Sequence, residues 1–156
     1  MNVDTADLDD ADALADLWVD LATGQRDHGS HLLAAQNREQ ARESLLRHAL
    51  TGGLLVARED GDVLGFVSFY PEGGSFEQDV QRGIVENIYV VPERRGEGIG
   101  STLLEAAEEE LIADGVEVLA LEAMADNERA RRFYRRHGYE PHRVELERET
   151  DTRDGG

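Results

Sequence analysis

A glycine-rich turn between an apolar strand and a helix is the part of this chain best suited to chemistry. Residues 95–100 read Arg-Gly-Glu-Gly-Ile-Gly; residues 84–91 are strand-like and residues 101–112 have helical apolar spacing. The first N–H groups of a helix have no partner within it, and the helix dipole adds partial positive charge there. Glycines let the backbone approach a ligand closely. The segment therefore predicts a site that binds a phosphate or diphosphate group.

Two common phosphate-binding patterns do not fit this turn. The P-loop of nucleotide hydrolases requires Gly-Lys-Ser/Thr, and the chain contains no lysine. The dinucleotide fingerprint Gly-x-Gly-x-x-Gly opens a βαβ unit, whereas here Arg-x-x-Gly-x-Gly stands late in the chain. Nucleotide hydrolysis and hydride transfer are therefore disfavoured.

Two motifs together resemble a known family. Arg-x-x-Gly-x-Gly after an apolar strand resembles the coenzyme A pyrophosphate loop of the GCN5-related N-acetyltransferases. Residues 127–139, Asn-Glu-Arg-Ala-Arg-Arg-Phe-Tyr-Arg-Arg-His-Gly-Tyr, resemble the family's second signature, Asn-x-x-Ala-x-x-Phe-Tyr-x-x-x-Gly-Phe/Tyr. With the strands around them, the motifs cover residues 84–148. The resemblance implies that acetyl-CoA is the co-substrate and that a primary amine is the acceptor.

The resemblance also implies which residues hold acetyl-CoA. The backbone of Ile88 and Val90 is expected to receive the coenzyme, because this strand splays from its neighbour in the family, and the Ile88 N–H would bind the thioester oxygen. Asn127 is expected to bond the pantetheine arm; a role as N-cap of the helix that it opens is the alternative. The residues expected to line the pyrophosphate are Arg95, Gly96, Glu97, Gly98, Ile99, Gly100 and Ser101.

Tyr134 is the expected general acid. Acyl transfer to an amine needs a proton acceptor for the amine, a donor to the carbonyl oxygen and a proton for the departing thiolate. With no cysteine and no Gly-x-Ser-x-Gly motif, direct attack in a ternary complex is expected rather than a covalent acyl-enzyme. Tyr134 occupies the tyrosine position that commonly points at the coenzyme sulfur in the family, and a phenol is protonated at neutral pH. A purely structural aromatic residue is the alternative.

Glu86 is the candidate base, because it interrupts an apolar strand and glutamate has a low strand preference. The segment Val-Glu-Asn-Ile-Tyr-Val resembles the Leu-Glu-Asp-Leu-Tyr/Phe-Val strand of polyamine and related small-amine acetyltransferases, in which this glutamate serves as base, often through water. A carboxylate that only binds the amine is the alternative. Unless a bulge intervenes, Glu86, Ile88 and Val90 share one face of the strand.

The acceptor side has two weaker candidates, His28 and Glu77, both in polar loops. The loop of His28 often shapes the acceptor site in this family, and Glu77 could meet a cationic amine; solvated loop residues are the alternative. His28 and His31 have ligand-like spacing but no third ligand, so no metal is expected. A small amine is the expected acceptor. A protein N-terminus or lysine is the first alternative, and a non-catalytic acyl-CoA-binding module is the second.

Composition restricts the remaining classes. The 156 residues, 40% of them apolar, predict one domain over residues 1–150 and a frayed tail over 151–156. The net charge of −18 disfavours nucleic acid, and acids spread along the chain favour a halophilic surface, adapted to high salt. No apolar run reaches the roughly 20 residues of a membrane span. A cytoplasmic protein without membrane partners is expected, and a homodimer would be common for the family.

The elements that must position these residues follow the order β-α-α-β-β-β-α-β-α-β-β. The expected class is α/β (α+β), with the family's mixed central sheet of about six to seven strands flanked by four helices. Asp60-Gly61 between two apolar runs predicts a hairpin. Strands are expected at residues 1–3, 54–58, 63–70, 84–91, 116–122, 139–140 and 144–148, and helices at 7–22, 37–50, 101–112 and 127–137.

Overall fold

The computed structural model describes residues 1–151, which form one five-stranded sheet with helices on both faces. The strands are β1 (Asn2–Thr5), β2 (Leu54–Glu59), β3 (Asp62–Pro71), β4 (Arg82–Val90) and β5 (Val118–Ala120). The helices are α1 (Ala11–Arg26), α2 (Arg38–Thr51), α3 (Ile99–Ala113) and α4 (Glu128–Arg136). Short 3₁₀ turns precede α1 and α2 and follow β4.

The strands lie in the sheet in chain order, and the sheet is mixed. The pairs from β1 to β4 are antiparallel, and β5 runs parallel to β4. Leu14 and Leu45 bury α1 and α2 against Phe66 on one face, and Leu103 and Leu104 bury α3 against the other. Strands that bury side chains on both faces read as the continuous apolar runs of the sequence. The mixed sheet with four flanking helices confirms the predicted α+β class.

The last two predicted strands do not form within the described residues, so the sheet has five strands rather than six or seven. Residues 139–140 and 144–148 are irregular, and Val144 and Leu146 are 74% and 88% exposed. Alternating apolar residues produce a strand only where a sheet edge pairs with them and a core covers one face, and neither condition is met here. The strand predicted over 116–122 is likewise shortened to β5.

Helices α1 and α3 differ most from their predicted bounds, and α1 continues to Arg26 rather than ending at residue 22. Helix α1 starts at Ala11 rather than residue 7, because the Asp7 N–H donates to the Asp10 carboxylate (2.8 Å) and residues 8–10 form a 3₁₀ turn. Helix α3 starts at Ile99, which puts the end of the glycine-rich segment inside its first turn. The predicted tail lies, apart from Asp151, outside the described residues. No helix of residues 1–151 has the length and apolarity needed to cross a membrane.

Candidate functional site

Beyond its first three residues, β4 presents an open edge. Strand β5 pairs with Arg82–Ile84 and then ends, so the described residues provide no strand partner for the rest of this edge. On the other edge, the Val91 N–H donates to the Leu64 carbonyl (2.9 Å). Because N–H directions alternate along an antiparallel strand, the N–H groups of Ile88 and Val90 point to the open edge. The edge therefore offers two backbone donors to a ligand.

The glycine-rich segment forms an anion cradle at the end of this edge. Gly98 is the N-cap of α3 with φ +84°, and Gly96 has φ +82°. A Cβ on either glycine would meet nothing within 4 Å, so the space beside them is open. Ile99, Gly100 and Ser101 are the first helical residues, and their N–H groups have no acceptor within the helix. Free N–H groups at the positive end of a helix dipole suit a diphosphate.

The two arginines of the loop differ in their partners. The Arg94 guanidinium pairs with Glu97 (3.0 Å) and Glu59 (3.3 Å). Arg95 donates from Nε to the Val90 carbonyl (3.0 Å) and lies over the Tyr89 ring. Among residues 1–151, Arg95 forms no ion pair, so its charge is available to an anion, whereas the Glu97 carboxylate is paired with Arg94 and leaves only its backbone to the cradle.

Helix α4 meets the cradle and the open edge at one place. A Cβ on Gly100 would lie 3.5 Å from Phe133 Cζ and 3.8 Å from Val90 Cγ2, so α3, α4 and β4 converge there. Asn127 caps α4, since its Oδ1 accepts the Ala130 N–H (3.2 Å). The Asn127 oxygen therefore acts as the N-cap of α4, the alternative to binding the pantetheine arm. The Ser101 hydroxyl contacts His137 Nε2 (3.0 Å), which joins the two helix ends.

Tyr134 lies among aromatic rings beside this junction. Its ring is 5.4 Å from the ring of Phe133 and 6.1 Å from that of Tyr139. Burial raises the pKa of Tyr134 to about 12. Among residues 1–151 no hydrogen bond to the Tyr134 hydroxyl is found, and burial is the sole cause of its pKa shift. The phenol is therefore protonated at neutral pH and its proton is available for donation.

Glu86 is the extra residue of a β-bulge, and this changes the face that it occupies. Asn87 pairs with Ser68 and Val85 pairs with Phe69, so Glu86 has no partner on β3. The bulge puts Val85, Ile88 and Val90 together against α3, and it turns Glu86 towards α2. The shared face of Glu86, Ile88 and Val90, expected if no bulge intervened, is therefore not formed. Bulges of this kind re-aim a side chain at functional sites.

Polar contacts fix the Glu86 carboxylate. The Asn87 side-chain amide donates to Glu86 Oε1 (3.2 Å) and to the hydroxyl of fully buried Ser68 (3.1 Å). The other oxygen, Oε2, lies 3.8 Å from Nε2 of His48 on α2. The Glu86 side chain is 38% exposed, so its carboxylate is held through Oε1 by Asn87 and is still reachable from solvent.

His48 is a site residue that sequence reasoning missed. Its Nδ1 bonds the Ser44 carbonyl (2.8 Å), its ring packs 5.9 Å from the ring of Tyr70, and its side chain is only 14% exposed. The pKa of Tyr70 is raised by burial and by the charges of Glu86, Glu72 and Glu122. Glu72, in the segment after β3, pairs with Arg82 (3.6 Å), so the unpaired negative charge near Tyr70 comes from Glu86 on β4 and Glu122 after β5. In the sequence, His48 is one of several polar residues in the predicted helix 37–50 and belongs to no motif.

His28 and Glu77, the weaker candidates for the acceptor side, lie in different loops. His28 Nδ1 pairs with Asp126 (2.9 Å) and joins the α1–α2 loop to the loop before α4. His31 pairs with Glu147 (3.0 Å). Glu77 lies exposed in the β3–β4 loop, and no hydrogen bond or ion pair within residues 1–151 joins it to the site. The same residues contain no group of three or more His, Asp or Glu side chains arranged to hold a metal ion.

Comparison with known proteins identifies relatives along most of the chain. The sequence profile described as the acetyltransferase (GNAT) family matches residues 12–139. An uncharacterized N-acetyltransferase of Archaeoglobus fulgidus is 32% identical and covers 86% of this chain and 89% of its own. The uncharacterized N-acetyltransferase YhfO of Bacillus subtilis is 33% identical and covers 90% of each. The aminoalkylphosphonate N-acetyltransferase of Salmonella typhimurium is 34% identical over 54% of each chain.

Solved structures share the fold. A mutant of the BH1408 protein from Bacillus halodurans superposes with a TM-score of 0.84 at 17% identity and covers 96% of this chain and 99% of its own. A predicted acetyltransferase from Clostridium acetobutylicum, solved with acetyl-CoA, has a TM-score of 0.72 at 18% identity and covers 95% of each chain.

Proposed function

The chain belongs to the GNAT family of acetyltransferases, and we propose that it transfers the acetyl group of acetyl-CoA to the primary amine of a small molecule. The observation that carries this proposal is the open edge of β4. It runs from Glu86, at the acceptor end, past the Ile88 and Val90 donors to the cradle at the start of α3. Groups suited to an amine, a thioester and a diphosphate therefore follow one another from β4 to the start of α3.

The residues of this edge fit acetyl-CoA. The N–H groups of Ile99, Gly100 and Ser101, with the Arg95 guanidinium, would hold the diphosphate. The Ile88 and Val90 backbone would pair with the amides and thioester oxygen of the arm. When bound, acetyl-CoA supplies the acetyl group as an activated thioester. Support for this co-substrate comes from the family and from the Clostridium protein solved with acetyl-CoA.

Three groups of the chain then act on the reaction. The Ile88 N–H donates to the carbonyl oxygen as it gains negative charge. Glu86 receives the acceptor amine, as base or as the carboxylate that binds its ammonium. Tyr134 donates its proton to the departing sulfur. Since the chain has no cysteine, attack by the amine itself in a ternary complex is the simplest course.

The acceptor is proposed to be a small amine without an anionic group near its nitrogen. Glu86 and Glu122 place negative charge near Tyr70, which attracts an ammonium and repels a phosphonate. The Salmonella relative is named for aminoalkylphosphonates, so we expect this chain to differ from it in acceptor. Cytoplasmic location, a halophilic surface and a homodimer stay predictions.

Thiol release with a panel of acceptors tests this proposal. We expect acetyl-CoA-dependent thiol release with neutral or polycationic alkylamines and at least tenfold less with aminoalkylphosphonates, at about 1.4 kcal/mol per factor of ten. Release only with peptides would support acetylation of a protein N-terminus or lysine instead. No release with any amine would contradict the proposal and favour a binding module.

Replacing Tyr134 by phenylalanine should lower kcat about 100-fold, because the departing sulfur loses its proton donor. Acetyl-CoA affinity should stay the same, since the ring is kept. Because burial raises the pKa of Tyr134 to about 12, the phenol keeps its proton well above pH 8, and wild-type kcat should not fall between about pH 8 and 10. Steady-state kinetics across this range measure both effects.

Tyr139→Phe is the matched control, because the Tyr139 hydroxyl donates to Glu108 (2.7 Å) and has no part in the proposed reaction. It should keep wild-type kcat. A Tyr134→Phe variant as active as this control would exclude Tyr134 as the general acid.

A further inference from the structure

We propose that His48 Nε2 takes the proton from the acceptor amine, while Glu86 binds that amine as its ammonium. The inference rests on the proposed function, since it concerns the same reaction. It assigns a catalytic role to a residue on α2, outside both sequence motifs of the family.

A backbone carbonyl sets which ring nitrogen of His48 is basic. Nδ1 lies 2.8 Å from the Ser44 carbonyl oxygen. A carbonyl oxygen only accepts, so Nδ1 must carry the hydrogen. In the neutral ring the lone pair is then on Nε2, the nitrogen that faces Glu86. The Ser44 carbonyl thus holds the ring so that its proton-accepting atom faces Glu86. In other proton-transfer sites, too, a second group orients the imidazole by bonding its other nitrogen.

The distance between His48 Nε2 and Glu86 Oε2 allows one ammonium nitrogen to bond both atoms. His48 Nε2 and Glu86 Oε2 are 3.8 Å apart, too far for a direct hydrogen bond. A nitrogen about 2.9 Å from each atom, the usual N–H···O distance, would lie to one side of the line that joins them and could give one N–H to each. Glu86 Oε1 is already occupied by the Asn87 amide, so Oε2 is the oxygen free to do this.

The surroundings of His48 favour this division of roles. Among the described residues, Glu86 is the only carboxylate within 4.0 Å of the His48 ring nitrogens, and Tyr70 is the titratable group that packs on the ring from β3. Imidazole is the side chain that most often serves as a general base in proton transfer. A carboxylate beside it supplies the negative charge that holds an ammonium.

The protons balance over the reaction. The bound ammonium gives one proton to His48 Nε2 and becomes a free amine. The amine nitrogen then forms a bond to the acetyl carbon, and the carbon–sulfur bond breaks. The sulfur takes the Tyr134 proton, and the second nitrogen proton restores the phenol as the amide forms. His48 returns its proton to solvent after the products leave.

The variant that tests this is His48→Asn, whose side-chain amide can still donate to the Ser44 carbonyl but has no nitrogen in place of Nε2. With the amine found in the acceptor panel, kcat/KM at neutral pH should fall about 100-fold. Wild-type kcat/KM should reach a plateau at a pH below the amine's own pKa, because a base of the protein then takes the amine proton. In the variant it should keep rising about tenfold per pH unit towards the amine's own pKa, because only free amine reacts. His31→Asn, at an exposed ion pair, is the matched control.

A weakly basic fluorinated analogue of the same amine separates proton transfer from structure. It is unprotonated at neutral pH and needs no base, so His48→Asn should acetylate it within a few-fold of the wild-type rate. An equal loss with both amines, or an unchanged pH profile, would overturn the role of His48 while leaving the proposed function standing. Absence of amine-dependent thiol release in the wild type would instead refute the proposed function.

A measurement without substrate keeps the inference testable if the variant fails to fold. Nitrogen NMR of the wild-type imidazole should report the Nδ1–H tautomer of His48 at high pH. An Nε2–H tautomer would overturn the inference, because the basic nitrogen would then face Ser44.

Discussion

Replacing Gly98 by aspartate is expected to abolish acetyl-CoA binding and leave the fold intact. The N–H groups of Ile99, Gly100 and Ser101 lie directly after this residue, so a carboxylate there would stand beside the diphosphate. Two unit charges about 4 Å apart repel by about 4 kcal/mol at an effective dielectric constant of 20, which corresponds to roughly a thousandfold in Kd. Calorimetric titration with acetyl-CoA measures the loss.

The variant should still fold, because aspartate is among the residues that tolerate the left-handed conformation of Gly98. Gly115→Asp is the matched control: Gly115 has φ +94°, a Cβ there meets nothing within 4 Å, and it lies about 25 Å away at the other end of α3. Gly98→Asn adds the same bulk without the charge and should bind with intermediate affinity. Equal acetyl-CoA affinity in Gly98→Asp and Gly115→Asp would contradict the cradle.

The second large effect is expected from Glu86→Gln. Glutamine keeps the shape of the side chain and an oxygen that accepts the Asn87 amide, but it removes the negative charge that binds the ammonium. We expect kcat/KM for the amine to fall about 100-fold at neutral pH. Acetyl-CoA affinity should change little, because Glu86 turns towards α2 and away from the cradle at the other end of the edge.

Steady-state kinetics with the amine varied, together with acetyl-CoA titration, check this result. Glu105→Gln removes one charge from an exposed position on α3 and should leave kcat/KM unchanged. If Glu86→Gln keeps both the wild-type kcat/KM and the wild-type pH–rate profile, Glu86 has no part in the mechanism.

The local geometry of the glycine-rich segment could be predicted from sequence because consecutive residues determine it. Gly96 and Gly98 take positive φ angles, and free N–H groups at Ile99 to Ser101 follow from any helix start. The N-cap role of Asn127 was also foreseeable from its residue type and position. Each feature depends on a few consecutive residues.

The acceptor side could not be predicted in the same way. The bulge at Glu86 depends on how β4 registers against β3, and the approach of His48 depends on how α2 packs on the sheet. Both are tertiary effects, and neither leaves a local pattern in the sequence. The last two strands were predicted wrongly for a related reason: Val144 and Leu146 have strand-like alternation, but they pair with no sheet edge and cover no core within the described residues.

A crystal structure of the protein with acetyl-CoA bound tests the central claim most directly. We predict that the diphosphate accepts hydrogen bonds from the N–H groups of Ile99, Gly100 and Ser101, and that the thioester oxygen accepts one from Ile88. The sulfur should lie within reach of the Tyr134 hydroxyl. A diphosphate bound away from the start of α3, or a sulfur distant from Tyr134, would contradict the account.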